Sequence, residues 1–311
     1  MIMGPDELIR IAHAARRYYL QDRSRVDIAA ELGVSRFKVA RMLEKARELG
    51  IVTIDVQLPD AIDPELSIGL KNAFGLVHSI AVTSPSQTSE AIRQSLGEAT
   101  ATLLQEIVTP ADTLGFTAGR TLDEATKLLV DLPRCDVVAL GGIAGPVREH
   151  GIEIVRRVAR ASGGESYPIF APLLVQDEAT AEALKADPLI RDAYSRFGRV
   201  TKGVVAIGSW NPPDSQLYDS ANQGAIAQEL VDRGVVGEVV ATLYDRDGNV
   251  DSTLDHRSLA ITADELRRVP EVIGVAGGTT KVEAIRAALL GGLITSLITD
   301  TGTARALLDA A

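Results

Sequence analysis

The stretch VDIAAELGVSRFKVARMLEKARELGIV, residues 26–52, sets the reading of everything around it. A helix-turn-helix needs a small residue where its helices touch, a turn that accepts a left-handed residue, and apolar positions that lock the crossing. Ala30, Gly33, Val34, Val39 and Leu43 supply these in order. Ser24 with Asp27 three residues on has the form of a capping box and opens a short helix ending near Leu32. Gly33 suits the left-handed position beyond that helix, and Ser35 can cap the next one, which runs to about Leu49 and closes at Gly50. Along this last helix Val39, Leu43 and Ala46 face inward, while Lys38, Arg41 and Lys45 share an outward face.

Side chains near the start of such a helix reach base edges in the major groove. Ser35, Arg36, Phe37, Lys38, Arg41 and Lys45 are therefore the candidate contacts to a double-stranded DNA operator. Arg36 and Arg41 can each give a bidentate bond to guanine or clasp a phosphate, and the sequence leaves both roles open. Ser35 suits capping and a backbone phosphate. The plainer alternative is a three-helix docking module with a solvated basic face. The coincidence of turn, interior pattern, the wing-like strand that follows and the N-terminal position favours DNA.

Upstream, Leu8, Ile11, Ala12, Ala15, Tyr18 and Tyr19 recur at helical spacing over residues 6–20. Downstream, Val52, Ile54, Val56 and Leu58 alternate with Thr53, Asp55 and Gln57, which predicts a half-buried strand serving as a wing. Pro59 and Pro64 bracket a linker, and residues 64–74 read as a helix. The expected organisation is a DNA-binding domain over 1–58, a linker with a connecting helix over 59–76, and a larger domain over 77–311.

Charge follows the same division. Residues 1–58 hold 10 Lys/Arg against 8 Asp/Glu, whereas residues 59–311 hold 22 against 34, so the net charge of −10 comes from the larger part. A basic reader on an acidic body is compatible with DNA binding. The single cysteine, Cys135, rules out an intramolecular disulfide, and four scattered histidines leave no metal-ligand spacing. No apolar run approaches a membrane span, no cofactor is implied, and the cytoplasm is the expected compartment.

From residue 79 onward, short apolar runs at Ile80–Val82, Thr113–Phe116, Val137–Leu140, Tyr167–Leu173, Val204–Ile207, Val239–Leu243, Val272–Ala276 and Leu297–Thr299 predict strands. Helical stretches over 88–107, 121–130, 150–161, 221–232, 281–290 and 302–310 separate most of them, and Asp247-Gly248 marks a hairpin turn. The alternation predicts a largely parallel sheet covered on both faces.

Two glycine-containing segments follow predicted strands and open helices. In the first, Thr117, Gly119, Arg120 and Thr121 would present backbone N–H groups, hydroxyls and a guanidinium to a phosphate. In the second, Gly277 and Gly278 precede Thr279, Thr280 and Lys281. Neither matches the Walker or dinucleotide glycine pattern. Either loop alone is as well explained by a tight turn; two such loops, each with a cation, point to an anionic ligand.

The motifs LGVSRFKVARMLEKARELGIV, LGFTAGRTL, VVALGG, GVVGEV, VAGGTTKVEAIRAALLGG and LITDTGTARALL, in this order, resemble the SorC/DeoR-type family of bacterial sugar-responsive transcription regulators over nearly the whole chain. The resemblance implies a winged helix-turn-helix followed by a larger Rossmann-like, largely parallel α/β sugar-binding domain, a homodimer or homotetramer, and a phosphorylated sugar as effector. It adds Gly141 and Gly142 as a double-glycine turn and Glu238 as an acceptor for sugar hydroxyls, with Asp245 as a weaker one, and it aligns Gly119, Arg120, Thr121 and Lys281 with effector loops. Some relatives carry a lysine just before the double glycine that condenses with an aldehyde sugar. Leu140 or Gly141 stands there in this chain, which implies reversible, non-covalent binding. Phe37 replaces a commonly small residue. Two rival readings remain: a sugar-phosphate isomerase- or deaminase-like enzyme, using Glu238 or Asp245 as base, and a regulator whose large domain only oligomerises.

Overall fold

The computed structural model describes residues 4–54, 61–144, 150–223 and 226–311 and divides the chain into two compact units, Met1–Gln57 and Leu58–Ala311. The first is a bundle of α1 (Pro5–Gln21), α2 (Arg25–Leu32) and α3 (Arg36–Glu48) around Ile11, Ala14, Ala15, Ile28, Ala29, Val39, Met42, Leu43 and Ala46. Local chemistry places its turns. Ser24 and Asp27 form the reciprocal capping box, Gly33 is left-handed at φ 64°, and the Ser35 hydroxyl accepts from the Lys38 N–H at 3.2 Å. The small residue at the helix contact is Ala29; Ala30, one position on, is exposed.

The expected wing is not seen where the chain is described. Residues 51–54 form no strand, because the Ile51 and Val52 N–H groups both donate to the Ala46 carbonyl and close the end of α3. Residues 55–58 of that expectation, with Pro59, lie outside the described residues.

The second unit is built on strands β1 (Ser79–Val82), β2 (Thr113–Phe116), β3 (Asp136–Ala139), β4 (Ser166–Tyr167), β5 (Lys202–Trp210), β6 (Pro213–Asp214), β7 (Val235–Val239), β8 (Thr242–Asp245), β9 (Val250–Asp251), β10 (Glu271–Val275) and β11 (Ser296–Asp300). Parallel pairing runs in the order β1-β11-β10-β5-β2-β3-β4. Branched, fully buried runs such as Val204–Val205 and Leu297–Ile298 suit strands covered on both faces. Covering helices include Pro64–Phe74, Ser89–Ile107, Arg120–Leu128, His150–Ser162, Val282–Leu290 and Thr301–Asp309.

Strand order reverses between the parallel neighbours β2 and β5: β2, β3 and β4 are added in one direction across the sheet, while β5, β10 and β11 are added in the other. A crevice opens outside the strand ends at such a switch point. Beyond it β5 continues into an antiparallel extension with β6 and β7, and β7 pairs with β8 and β8 with β9. Two sequence expectations change accordingly. The run Val239–Leu243 is not one strand: it holds the end of β7, the turn at 240–241 and the start of β8, and of the run at 167–173 only Tyr167, the end of β4, is strand. Helix over 221–232 is carried by Gln216–Gln223 and Ala227–Asp232.

Candidate functional site

A cleft at the carboxyl ends of β2, β3, β5 and β10 gathers Thr117, Gly119, Arg120, Thr121, Gly141, Gly142, Glu238, Gly277, Gly278 and Lys281. Apart from Glu238 on β7, all come from the loops picked out above, although they span more than 160 residues of chain. Each loop is shaped by close backbone approach. A Cβ on Gly142 would stand 2.5 Å from the Ala171 carbonyl oxygen, and one on Gly277 would stand 2.6 Å from Asp300 Oδ2. Gly278 is left-handed at φ 97° and donates its N–H to Asp300 Oδ2 at 2.7 Å. Asp300 is buried, and it also caps the following helix through the Thr303 N–H and hydroxyl.

Thr117 sits at the end of β2, where its hydroxyl accepts from the Ala206 N–H at 3.0 Å and joins the two strands flanking the switch point. Lys281, on a turn of 3₁₀ helix over Thr279–Lys281, donates its ammonium to the Ile207 carbonyl at 2.9 Å. The cation is thereby aimed into the cleft with only 15% of its side chain exposed.

Glu238 faces Gly208 across the β5–β7 pair, and its carboxylate fills the space that a side chain on Gly208 would take. It accepts from the Trp210 indole N–H and from the Ser215 hydroxyl at 2.6 Å. Burial pushes its carboxyl up to about 7, against the opposing pull of Ser215, Lys281 and Trp210. At neutral pH it is therefore poised between acceptor and donor, which suits recognition of hydroxyl groups.

A further polar member, Asp214, is not singled out by the sequence. It lies 2.5 Å from the Arg120 guanidinium and 3.3 Å from the Lys281 ammonium. Burial would raise its carboxyl, but Lys281 and Arg120 outweigh that and hold it below the usual carboxylate range. Trp210, Ser215, Ser89 and Arg93 also went unmarked: Ser89 and Arg93 line the cleft from the helix over Ser89–Ile107. Their signal is spatial, since nothing local distinguishes them.

Asp245 is not brought to the cleft. It sits in the β8–β9 hairpin, where it accepts from the Asp247 and Asn249 N–H groups at 2.9 Å each and from the Asn249 amide. The Asn249 bond and these N–H groups hold its carboxyl low, as turn chemistry does.

In the N-terminal unit the start of α3 presents Ser35, Arg36, Phe37 and Lys38 to solvent, with Arg41 exposed one turn on. The Arg36 guanidinium lies 5.0 Å from the centre of the Phe37 ring, and Phe37 is 66% exposed. Lys45 is half-buried and reaches Glu7 of α1 at 3.4 Å. Among the described residues no cluster of His, Cys, Asp and Glu could hold a metal ion, and no helix is long and apolar enough to cross a membrane.

A helix-turn-helix unit together with a parallel α/β unit bearing a polar switch-point cleft is the two-part build of a transcription regulator with a separate binding domain. Residues 63–309 match the family model described as "Putative sugar-binding domain". The chain is 30% identical to the transcriptional regulator LsrR of Klebsiella pneumoniae subsp. pneumoniae, over 99% of this chain and 94% of that protein. It is 29% identical to the transcriptional regulator YjhU of Escherichia coli, over 96% and 94%. The crystal structure of the full-length sorbitol operon regulator SorC from Klebsiella pneumoniae superposes with a TM-score of 0.74 at 26% identity, covering 99% of this chain and 100% of that one. The chain belongs to the SorC/DeoR-type family of sugar-responsive transcription regulators. Its relatives are named as regulators, not enzymes, and it is a DNA-binding regulator with a sugar-binding domain.

Proposed function

We propose that a phosphorylated sugar or sugar alcohol binds the switch-point cleft and controls operator affinity. One observation carries this reading: Arg120 and Lys281, from loops far apart in sequence, converge on the same carboxylate beside the buried Glu238. Two cations meeting at one point match a phosphate, and an adjacent buried acid matches a hydroxyl-rich remainder. Its relatives include a sorbitol operon regulator of Klebsiella pneumoniae and a deoxyribonucleoside regulator of Bacillus subtilis, which supports a polyol or sugar skeleton.

At the other end, Ser35, Arg36, Phe37, Lys38, Arg41 and Lys45 contact the operator, with Lys45 contributing less because Glu7 already engages it. A homodimer or homotetramer of the large domain presents paired readers to half-sites one helical turn of DNA, or a multiple, apart. Effector acts by favouring one arrangement of that assembly, to the extent that it binds the two unequally. Thermal melts against matched phosphorylated and free sugars test the effector class. Saturation at a hundred times Kd stabilises by about 2.7 kcal/mol. Stabilisation by free sugars alone would remove the phosphate assignment.

A further inference from the structure

We propose that Asp214 is a tethered anion that occupies the Arg120–Lys281 pair until a dianionic effector displaces it, and so filters ligands by charge. The proposal rests on reading the cleft as a phosphate-ester site. Asp214 arrives on β6, paired with Ser209 of β5, and its two oxygens take one cation each: Oδ1 meets Arg120 at 2.5 Å and Oδ2 meets Lys281 at 3.3 Å. This bridging is the arrangement that two oxygens of a phosphate would make. The opposing pulls of Lys281 and Arg120 keep the carboxyl ionised, so the bridge stands at neutral pH.

The three groups differ in freedom. Lys281 is anchored to the Ile207 carbonyl and largely buried, whereas the side chains of Arg120 and Asp214 are 54% and 40% exposed. An exposed ion pair is weak, so a ligand can break the Arg120–Asp214 contact at little cost while Lys281 stays in place. Charge then decides what succeeds. A monoanionic carboxylate only exchanges one carboxylate for another. A phosphate dianion brings a second charge to the two cations and gains from the exchange. Neutral sugars leave the bridge untouched. Apparent affinity is reduced by the fraction of molecules whose cations are already occupied.

The full chain provides its own reporter, because Trp210 is the sole tryptophan and, buried beneath the cleft, is bonded to the cleft-lining Glu238. Inorganic phosphate and acetate, titrated at constant ionic strength, would be followed by Trp210 emission and by melting temperature in the wild type, Asp214→Asn and Asp214→Ser. Both variants should bind phosphate about tenfold more tightly than wild type and should acquire acetate binding. Arg120→Ala should weaken phosphate binding. Phosphate binding that is unchanged or weakened in both Asp214 variants, with the wild type responding, would overturn the filter and leave the phosphate site standing. Silence of wild type and variants alike would overturn the phosphate site and the filter with it.

Discussion

Glu238 and Gly208 are directly opposite each other in the β5–β7 pair, and the glutamate carboxylate lies where a Gly208 side chain would be. The absence of a side chain at 208 is therefore what permits an acid to be buried beneath the cleft, within reach of Trp210 and Ser215.

Gly208→Ala should consequently displace the Glu238 carboxylate and break its two hydrogen bonds. Overpacking of this kind costs roughly 1–3 kcal/mol. Urea unfolding should show that loss, and ligand binding in the cleft should fall with it. A variant as stable as wild type would mean that Glu238 repacks freely.

Protonation of Glu238 makes stability depend on pH in an unusual direction. Its folded carboxyl titrates near 7 against an ordinary 4.5, so between those values the folded state holds the extra proton. Stability from this group is complete below about 4.5 and is lost as pH rises through about 7. The change amounts to roughly 3 kcal/mol. Chemical denaturation from pH 5 to 8 should show the decline in wild type and a flatter profile in Glu238→Gln. Parallel profiles would assign the dependence elsewhere.

Asp300 couples the Gly278 loop to the helix that follows β11. Asp300→Ala strands the Gly278 N–H and removes the cap on Thr303. Losing a buried acceptor costs about 1–3 kcal/mol. Melting temperature should drop, and ligand affinity should fall further than it does in variants of equal stability loss remote from the cleft.

On the DNA side, Arg36→Ala and Arg41→Ala should separate base reading from backbone contact. Removing a base-reading arginine costs roughly 1–3 kcal/mol and relaxes preference at one position, whereas removing a phosphate contact weakens all sequences alike. Anisotropy with operator variants selected from a random library distinguishes them. Unaltered binding in both mutants would place the reading surface off α3.

Much of this architecture is legible in sequence where the cause is local. The capping box at Ser24, left-handed Gly33 and the Ser35 cap each depend on neighbours within three or four residues, and all three appear in the structure. The parallel strands are legible because both of their faces are buried and their apolar runs are continuous. Alternation failed as a strand signal at Val52, where the helix-closing bonds to Ala46 took precedence. The continuous apolar run failed as a strand signal at Val239–Leu243, where an apolar turn residue, Val240, adopts φ 60° without the usual glycine. Asp214 was silent for a different reason: its partner Arg120 is 94 residues away, and only the return of β6 against β5 brings them together. Asp245 reads as polar and available, but the hairpin consumes its oxygens.

Control of DNA binding through the cleft is tested most directly by operator affinity at fixed salt, with and without a sugar phosphate that stabilises the protein. Fluorescence anisotropy on a library-selected operator should show Kd changing about tenfold on saturation, a coupling within the usual range for such proteins. The change should vanish in Lys281→Ala, while that variant binds the operator alone as wild type does. A sugar phosphate that binds tightly in the cleft yet leaves operator affinity identical would contradict the account.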